Sequence, residues 1–149
     1  MVLVAPEIPG NTGSIGRTCL ALNTPLHLIH PLSFDLSEKA VRRAGLDYWK
    51  YVEVYQYESW EDFLEKNNPA EESLFLLSRF AKDTLYQQSV SKNSYFVFGS
   101  ETKGLPEEIK NKYDQRLFKL PIHNEKVRSL NLACCATAVA YEAHRQLSF

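Results

Sequence analysis

Tyr95-Phe-Val-Phe-Gly-Ser-Glu-Thr-Lys-Gly-Leu-Pro106 opens with four apolar residues, stops at a glycine and passes into a polar loop. An apolar run this short, with no polar alternation, reads as a strand covered on both faces, as in a parallel sheet. Gly99 follows the strand directly, where bare backbone permits close approach to a ligand. Pro106 suits the first turn of a helix running to about Lys112. The same grammar recurs outward in both directions. Strands are predicted at Val2–Ala5, Leu26–Ile29, Val52–Tyr55, Leu74–Leu77 and Arg116–Leu120. A helix over Ser14–Leu22 is entered from an Asn11–Gly13 turn, and another over Ser37–Ala44 is stopped by Gly45. Ser59 with Asp62 resembles a capping box opening a helix through Lys66. A last helix, about Asn131–Gln146, carries Leu132, Ala136, Val139, Ala140, Ala143 and Leu147 on one stripe. The alternation predicts an α/β fold, a mostly parallel sheet flanked by helices, in one domain over residues 1–149.

Composition narrows the function. The 149 residues include 17 Lys plus Arg and 18 Asp plus Glu, a formal charge of −1. That excludes nucleic-acid binding by bulk positive charge and leaves a local basic patch or one assembled by dimerisation. With 44% hydrophobic and 23% charged residues, the chain reads as an ordinary globular protein. No secretory signal and no membrane-spanning run is expected, since neither a basic leader nor roughly 18 consecutive apolar residues occurs. Cys19, Cys134 and Cys135 form neither a ligand pair nor a disulfide framework and are expected as reduced, buried thiols. A cytoplasmic location follows.

Spacing disposes of the common nucleotide loops. Gly99 and Gly104 match the first spacing of a phosphate-binding P-loop, but Leu105 and Pro106 stand where Lys and Ser/Thr are required. Gly10, Gly13 and Gly16 do not follow the dinucleotide-binding pattern. Gly13 and Gly16 are expected to let a helix pack closely on the sheet. His27, His30, His123 and His144 are scattered, without metal-ligand spacing, and neither Ser100 nor Ser129 sits in a nucleophile elbow.

The unusual polar chemistry that remains gathers in three loops at strand ends. They are Pro6-Glu-Ile-Pro-Gly-Asn-Thr-Gly-Ser-Ile-Gly-Arg17, Phe98-Gly-Ser-Glu-Thr-Lys-Gly-Leu-Pro106, and Leu120-Pro-Ile followed by Arg128-Ser-Leu-Asn-Leu132. In open α/β sheets ligands bind outside the carboxyl ends of strands, where such loops lie. Asn11 and Asn131 suit turns and caps, and Glu101 suits a solvated loop, as readily as they suit a site. In this order the loops resemble the three signature motifs of the SPOUT-class RNA 2′-O-ribose methyltransferases. The first two motifs, P-x-I-P-x-N-T-G-x-x-x-R and F-G-x-E-x-x-G-L-P, are intact. The resemblance covers essentially the whole chain, including the Arg42-Arg-Ala-Gly-Leu-Asp-Tyr48 segment and the closing Tyr141-Glu-Ala helix. It is nearest to the small members that act on the wobble nucleotide of tRNA.

That resemblance implies a deep trefoil knot in the C-terminal segment and S-adenosyl-L-methionine (AdoMet) as methyl donor, without a metal. It puts Leu77, Gly99, Leu120 and Ser129 around AdoMet, mostly through backbone groups. It implies a homodimer in which the partner subunit's Arg17 reaches the methyl group. Asn11 and Glu101 are expected to orient loop and substrate, with Ser129 and Asn131 fixing the third loop. Ala133 stands where the family commonly has Ser, which removes a hydroxyl. A guanidinium stays charged in proteins and is a poor base. Arg17 is therefore expected to bind the phosphate beside the target ribose and stabilise developing alkoxide. RNA contact with the anticodon loop falls to Lys39, Arg42 and Arg43, spaced to share a helix face, and to Lys103, Lys126 and Arg128 beside the loops. The alternatives are a non-catalytic knotted RNA-binding or dimerisation module, a methyltransferase for another tRNA or rRNA nucleotide, and a generic nucleotide-binding enzyme.

Overall fold

A computed structural model describes residues 1–36 and 47–149. The helix expected over Ser37–Ala44, with Lys39, Arg42 and Arg43, lies outside the described residues.

Apolar runs bounded by proline, glycine or polar turns form most of the sheet. Its strands are β1 (Val2–Val4), β2 (Leu26–Ile29), β3 (Val54–Tyr57), β4 (Leu74–Leu77), β5 (Asp83–Thr84), β6 (Tyr95–Phe98) and β7 (Leu117–Lys119). They lie in the order β3-β2-β1-β6-β4-β7-β5, and every pairing is parallel. All residues of β1 and β2 are buried, as strands covered on both faces must be. Among the described residues four α-helices flank the sheet: α1 (Pro9–Ala21), α2 (Trp60–Asn67), α3 (Glu107–Lys112) and α4 (Leu132–Ser148).

Side-chain alternation along the strands splits the core in two. Leu3, Leu28, Phe75, Phe96 and Phe118 point to one face, under Ile15 and Cys19 of α1 and Ala136 and Val139 of α4. Val2, Val4, Leu76 and Val97 point to the other, under Trp60 and Phe63 of α2 and Ile109 of α3. Thr18 and Thr137 hydroxyls hydrogen-bond at 2.9 Å across the α1–α4 contact. The expected apolar stripe of α4 packs inward except at its end, where Leu147 is 42% exposed.

Four expectations are corrected. The first helix begins at Pro9, a turn before Ser14, so Asn11–Gly13 is helix and not a turn. Pro9 presets the entry φ, and backbone N–H groups at the entry find a carboxylate from elsewhere in the chain, described below. The third strand starts at Val54, because Trp49–Tyr51 forms a 3-10 turn that Val52 closes with an N–H bond to the Trp49 carbonyl (3.0 Å). Gly16 does permit close packing, but against the Trp49 indole and not the sheet: a Cβ there would meet the ring at 2.5 Å. Of the thiols only Cys19 is buried. Cys135 is half-buried, its acidity weakened to a pKa of about 11 by desolvation, and Cys134 is exposed.

Candidate functional site

The three polar loops leave the carboxyl ends of β1, β6 and β7. The first leaves β1 through Ala5, whose φ of 49° is left-handed and whose N–H donates to the Ile29 carbonyl at 2.9 Å. This conformation is costly for a residue with a side chain and turns the chain sharply toward α1. The second loop is a tight hairpin. Ser100 and Gly104 exchange backbone hydrogen bonds of 3.2 and 2.9 Å, and Gly104 has a φ of +69°, which glycine adopts freely. A Cβ on Gly99 would lie 1.9 Å from the Gly104 carbonyl carbon and 2.0 Å from the Leu105 nitrogen. The close approach expected at Gly99 is therefore made by the chain itself.

Side chains then bind the loops together. The Glu101 carboxylate accepts from the Glu7 N–H at 2.7 Å, the Ile8 N–H at 3.1 Å and the Asn11 amide at 3.1 Å. It is no solvated loop charge. It lies at the start of α1, where the helix dipole favours an anion. Glu7 reciprocates, accepting from the Thr102 hydroxyl at 2.8 Å and the Thr102 N–H at 3.1 Å. Asn11, 8% exposed, accepts through its Oδ1 from the Asn131 amide at 3.0 Å. Asn131 in turn caps α4, its Oδ1 accepting from the Ala133 and Cys134 N–H groups at 2.8 and 3.3 Å. One continuous chain of hydrogen bonds, Glu101–Asn11–Asn131, thus joins all three loops to the starts of two helices.

Leu77, Gly99 and Leu120 stand side by side at the carboxyl ends of neighbouring strands. Leu77 pairs with Phe98, which precedes Gly99, and with Phe118, two residues before Leu120. Leu77 and Leu120 are half-buried and Gly99 is buried. Ser129 lies exposed in the loop before α4. Arg17 is exposed on α1, its guanidinium 4.5 Å over the Tyr48 ring, while the Tyr48 hydroxyl donates to the Gly13 carbonyl at 2.8 Å. No bond among the described residues ties Arg17 or Ser129 into the Glu101–Asn11–Asn131 chain. Lys103, Lys126 and Arg128 are exposed. No group of three His, Cys, Asp or Glu side chains among the described residues could hold a metal ion, and no described helix is long and apolar enough to cross a membrane.

Sequence reasoning missed Glu7, Thr102 and Tyr48 as parts of this site. Glu7 carried a signal, an acid between two prolines directly after a strand. Thr102, 95 residues away, carried none that local spacing reveals.

Known proteins resemble the chain along its whole length. A tRNA (cytidine(34)-2′-O)-methyltransferase of Geobacillus stearothermophilus is 45% identical over 152 residues, covering 100% of this chain and 95% of the relative. The namesake from Bacillus subtilis is 41% identical, covering 100% of this chain and 93% of the relative. Among solved structures, an RNA methyltransferase from Bacillus anthracis superposes with a TM-score of 0.91 at 45% identity, covering 97% of this chain and 91% of that one. A structure described as giving insight into 2-OH methylation of C/U34 on tRNA superposes at 0.88 with 42% identity, covering 99% and 94%. The profile of the SpoU rRNA methylase family matches residues 1–141, and with these full-length likenesses the chain belongs to that family.

Proposed function

We propose that this protein transfers a methyl group from AdoMet to the ribose 2′-hydroxyl of nucleotide 34 in the tRNA anticodon loop. The reading is supported by the names of relatives 40–45% identical to the chain. The single observation that carries it is the Glu101–Asn11–Asn131 chain of hydrogen bonds, which brings the three loops to one place at the strand ends.

The residues present fit AdoMet. Half-buried Leu77 and Leu120 offer apolar contact for an adenine, and Gly99 lets the second loop fold tightly back on itself between them. Exposed Ser129 adds a hydroxyl and backbone groups. When bound, AdoMet supplies a methyl group already activated on a sulfonium. The work left to the chain is alignment, which can contribute about 7–11 kcal/mol. Glu101, Asn11 and Asn131 hold the loops; in this reading their part in the reaction is positioning. Arg17 binds the phosphate next to the target ribose and stabilises the developing alkoxide, with phosphate or water taking the hydroxyl proton. Lys39, Arg42, Arg43, Lys103, Lys126 and Arg128 contact the RNA backbone.

The active unit is a homodimer in which the partner subunit's Arg17 reaches the site. This agrees with the Arg17 guanidinium being exposed and resting on the Tyr48 ring. The chain folds as one methyltransferase domain with a C-terminal trefoil knot. The knot is the reading that membership of the SpoU methylase family supports. Its place of action is the cytoplasm, where unmodified tRNA is met.

The experiment is transfer of tritium from labelled AdoMet into unmodified tRNA, followed by mapping of the modified ribose. Label at the 2′-oxygen of nucleotide 34 is expected. Label elsewhere would reassign the target, and failure to bind AdoMet in calorimetry would make the chain a non-catalytic RNA-binding module.

A further inference from the structure

Phe80, in the connection from β4 to β5, is 73% exposed. The Arg79 guanidinium lies 4.2 Å over its ring and is fixed by donating to the Arg128 carbonyl at 2.8 Å. Between the loop after β4 and the loop before α4 lies an open pocket of about 370 Å³. Phe80, Ile122 and Val127 give it apolar surface, and Arg79, Lys119 and Arg128 surround that surface with positive charge. Glu125 is the one carboxylate among the described residues that line it. Against a chain with 17 cationic and 18 acidic residues, three cations to one acid around an exposed aromatic ring is a local excess that the overall composition does not explain.

Single-stranded RNA is held by this combination. Unpaired bases stack on aromatic rings and on guanidinium planes, and flanking cations meet the phosphates. Of the four residues proposed to surround AdoMet, only Leu120 also lines this pocket, so it lies beside the cofactor site rather than within it. We infer that the Phe80–Arg79 pair is a stacking platform for an unpaired base of the RNA substrate next to the methylated nucleotide. Lys119 and Arg128 hold the adjoining phosphates. This rests on the RNA-methylating reading above and assigns the surface that positions the strand.

The test uses the full-length protein with Phe80→Leu and Phe80→Trp, a fluorescein-labelled anticodon stem-loop RNA, and AdoMet by calorimetry. Leu keeps apolar bulk without an aromatic face, whereas Trp keeps the face. Phe80→Leu is expected to weaken RNA binding roughly tenfold, in line with the loss of one stacked base, and to raise the KM for tRNA while AdoMet affinity stays unchanged. Phe80→Trp is expected to restore RNA binding. Unchanged RNA affinity in the Leu variant, or failure of Trp to restore it, would overturn the platform. So would a loss of AdoMet affinity, which would give the pocket to the cofactor. If the unsubstituted protein binds the stem-loop through Phe80 yet methylates no tRNA, the platform stands and the assigned reaction falls.

Discussion

At Glu101 a single carboxylate takes donors from Glu7, Ile8 and Asn11, and this decides how the first two loops sit against each other. An amide of the same shape would turn a donor toward those donors. Glu101→Gln is therefore expected to cost about 1–3 kcal/mol in urea unfolding, the usual penalty for leaving partly buried groups unpaired. It should also lower the methyl-transfer rate, because at least one of the contacts that join the first two loops is lost. Arg17 is different in kind: it is exposed and rests on Tyr48, so its removal costs little structure. Arg17→Lys keeps the charge and loses the planar two-point fork. Turnover should fall at least tenfold while AdoMet affinity holds, and equal turnover in single-turnover assays would remove Arg17 from the reaction.

Among the elements, two helix caps share a chemistry and differ in consequence. Ser59 accepts from the Asp62 N–H at 3.1 Å and begins α2 on the face away from α1 and α4. Asn131 begins α4 and also reaches Asn11. Each alanine substitution should cost about 1 kcal/mol of stability through the lost cap. Only Asn131→Ala should slow methyl transfer, since only that cap holds a loop of the site. Paired urea midpoints and rates of the two variants check this. The start of α1 shows why its boundary was not legible in the sequence. Asn11–Gly13 has turn composition, and the carboxylate that compensates the early helix start lies 90 residues away. Conversely, β2, β4 and β6 have the bounds their apolar runs predict, because breakers fence each run on both sides. Two-residue β5 has no such run and left no trace.

For the molecule as a whole, acid sensitivity follows from His27. It sits in the aromatic core among Tyr57, Phe63 and Tyr95, with its Nδ1 sharing a 2.8 Å hydrogen bond with the Tyr57 hydroxyl. Burial first, and the nearby chain-terminal ammonium second, lower its pKa from 6.5 to about 4. The unfolded chain takes up this proton near pH 6.5 and the folded protein only near 4, so acidification through that window favours unfolding. The contribution is on the order of 3 kcal/mol. His27→Gln should flatten the fall in urea midpoint between pH 7 and 4. Binding of tRNA should weaken steeply with salt, since phosphate contacts release counterions. A flat dependence of affinity on salt in the unsubstituted protein would take the basic residues off the RNA surface.

Sequence by itself determined the α/β alternation, the three loops and the resemblance that unites them, because these rest on local runs, breakers and fixed spacings. Tertiary structure alone decided the strand order, the bonding of Glu101 to the head of α1 and of Asn131 to Asn11, and the juxtaposition of Phe80 with Arg128. Those contacts join residues 48 to 120 positions apart. A hydrogen bond between distant residues depends on how layers stack, and stacking leaves no period in the chain.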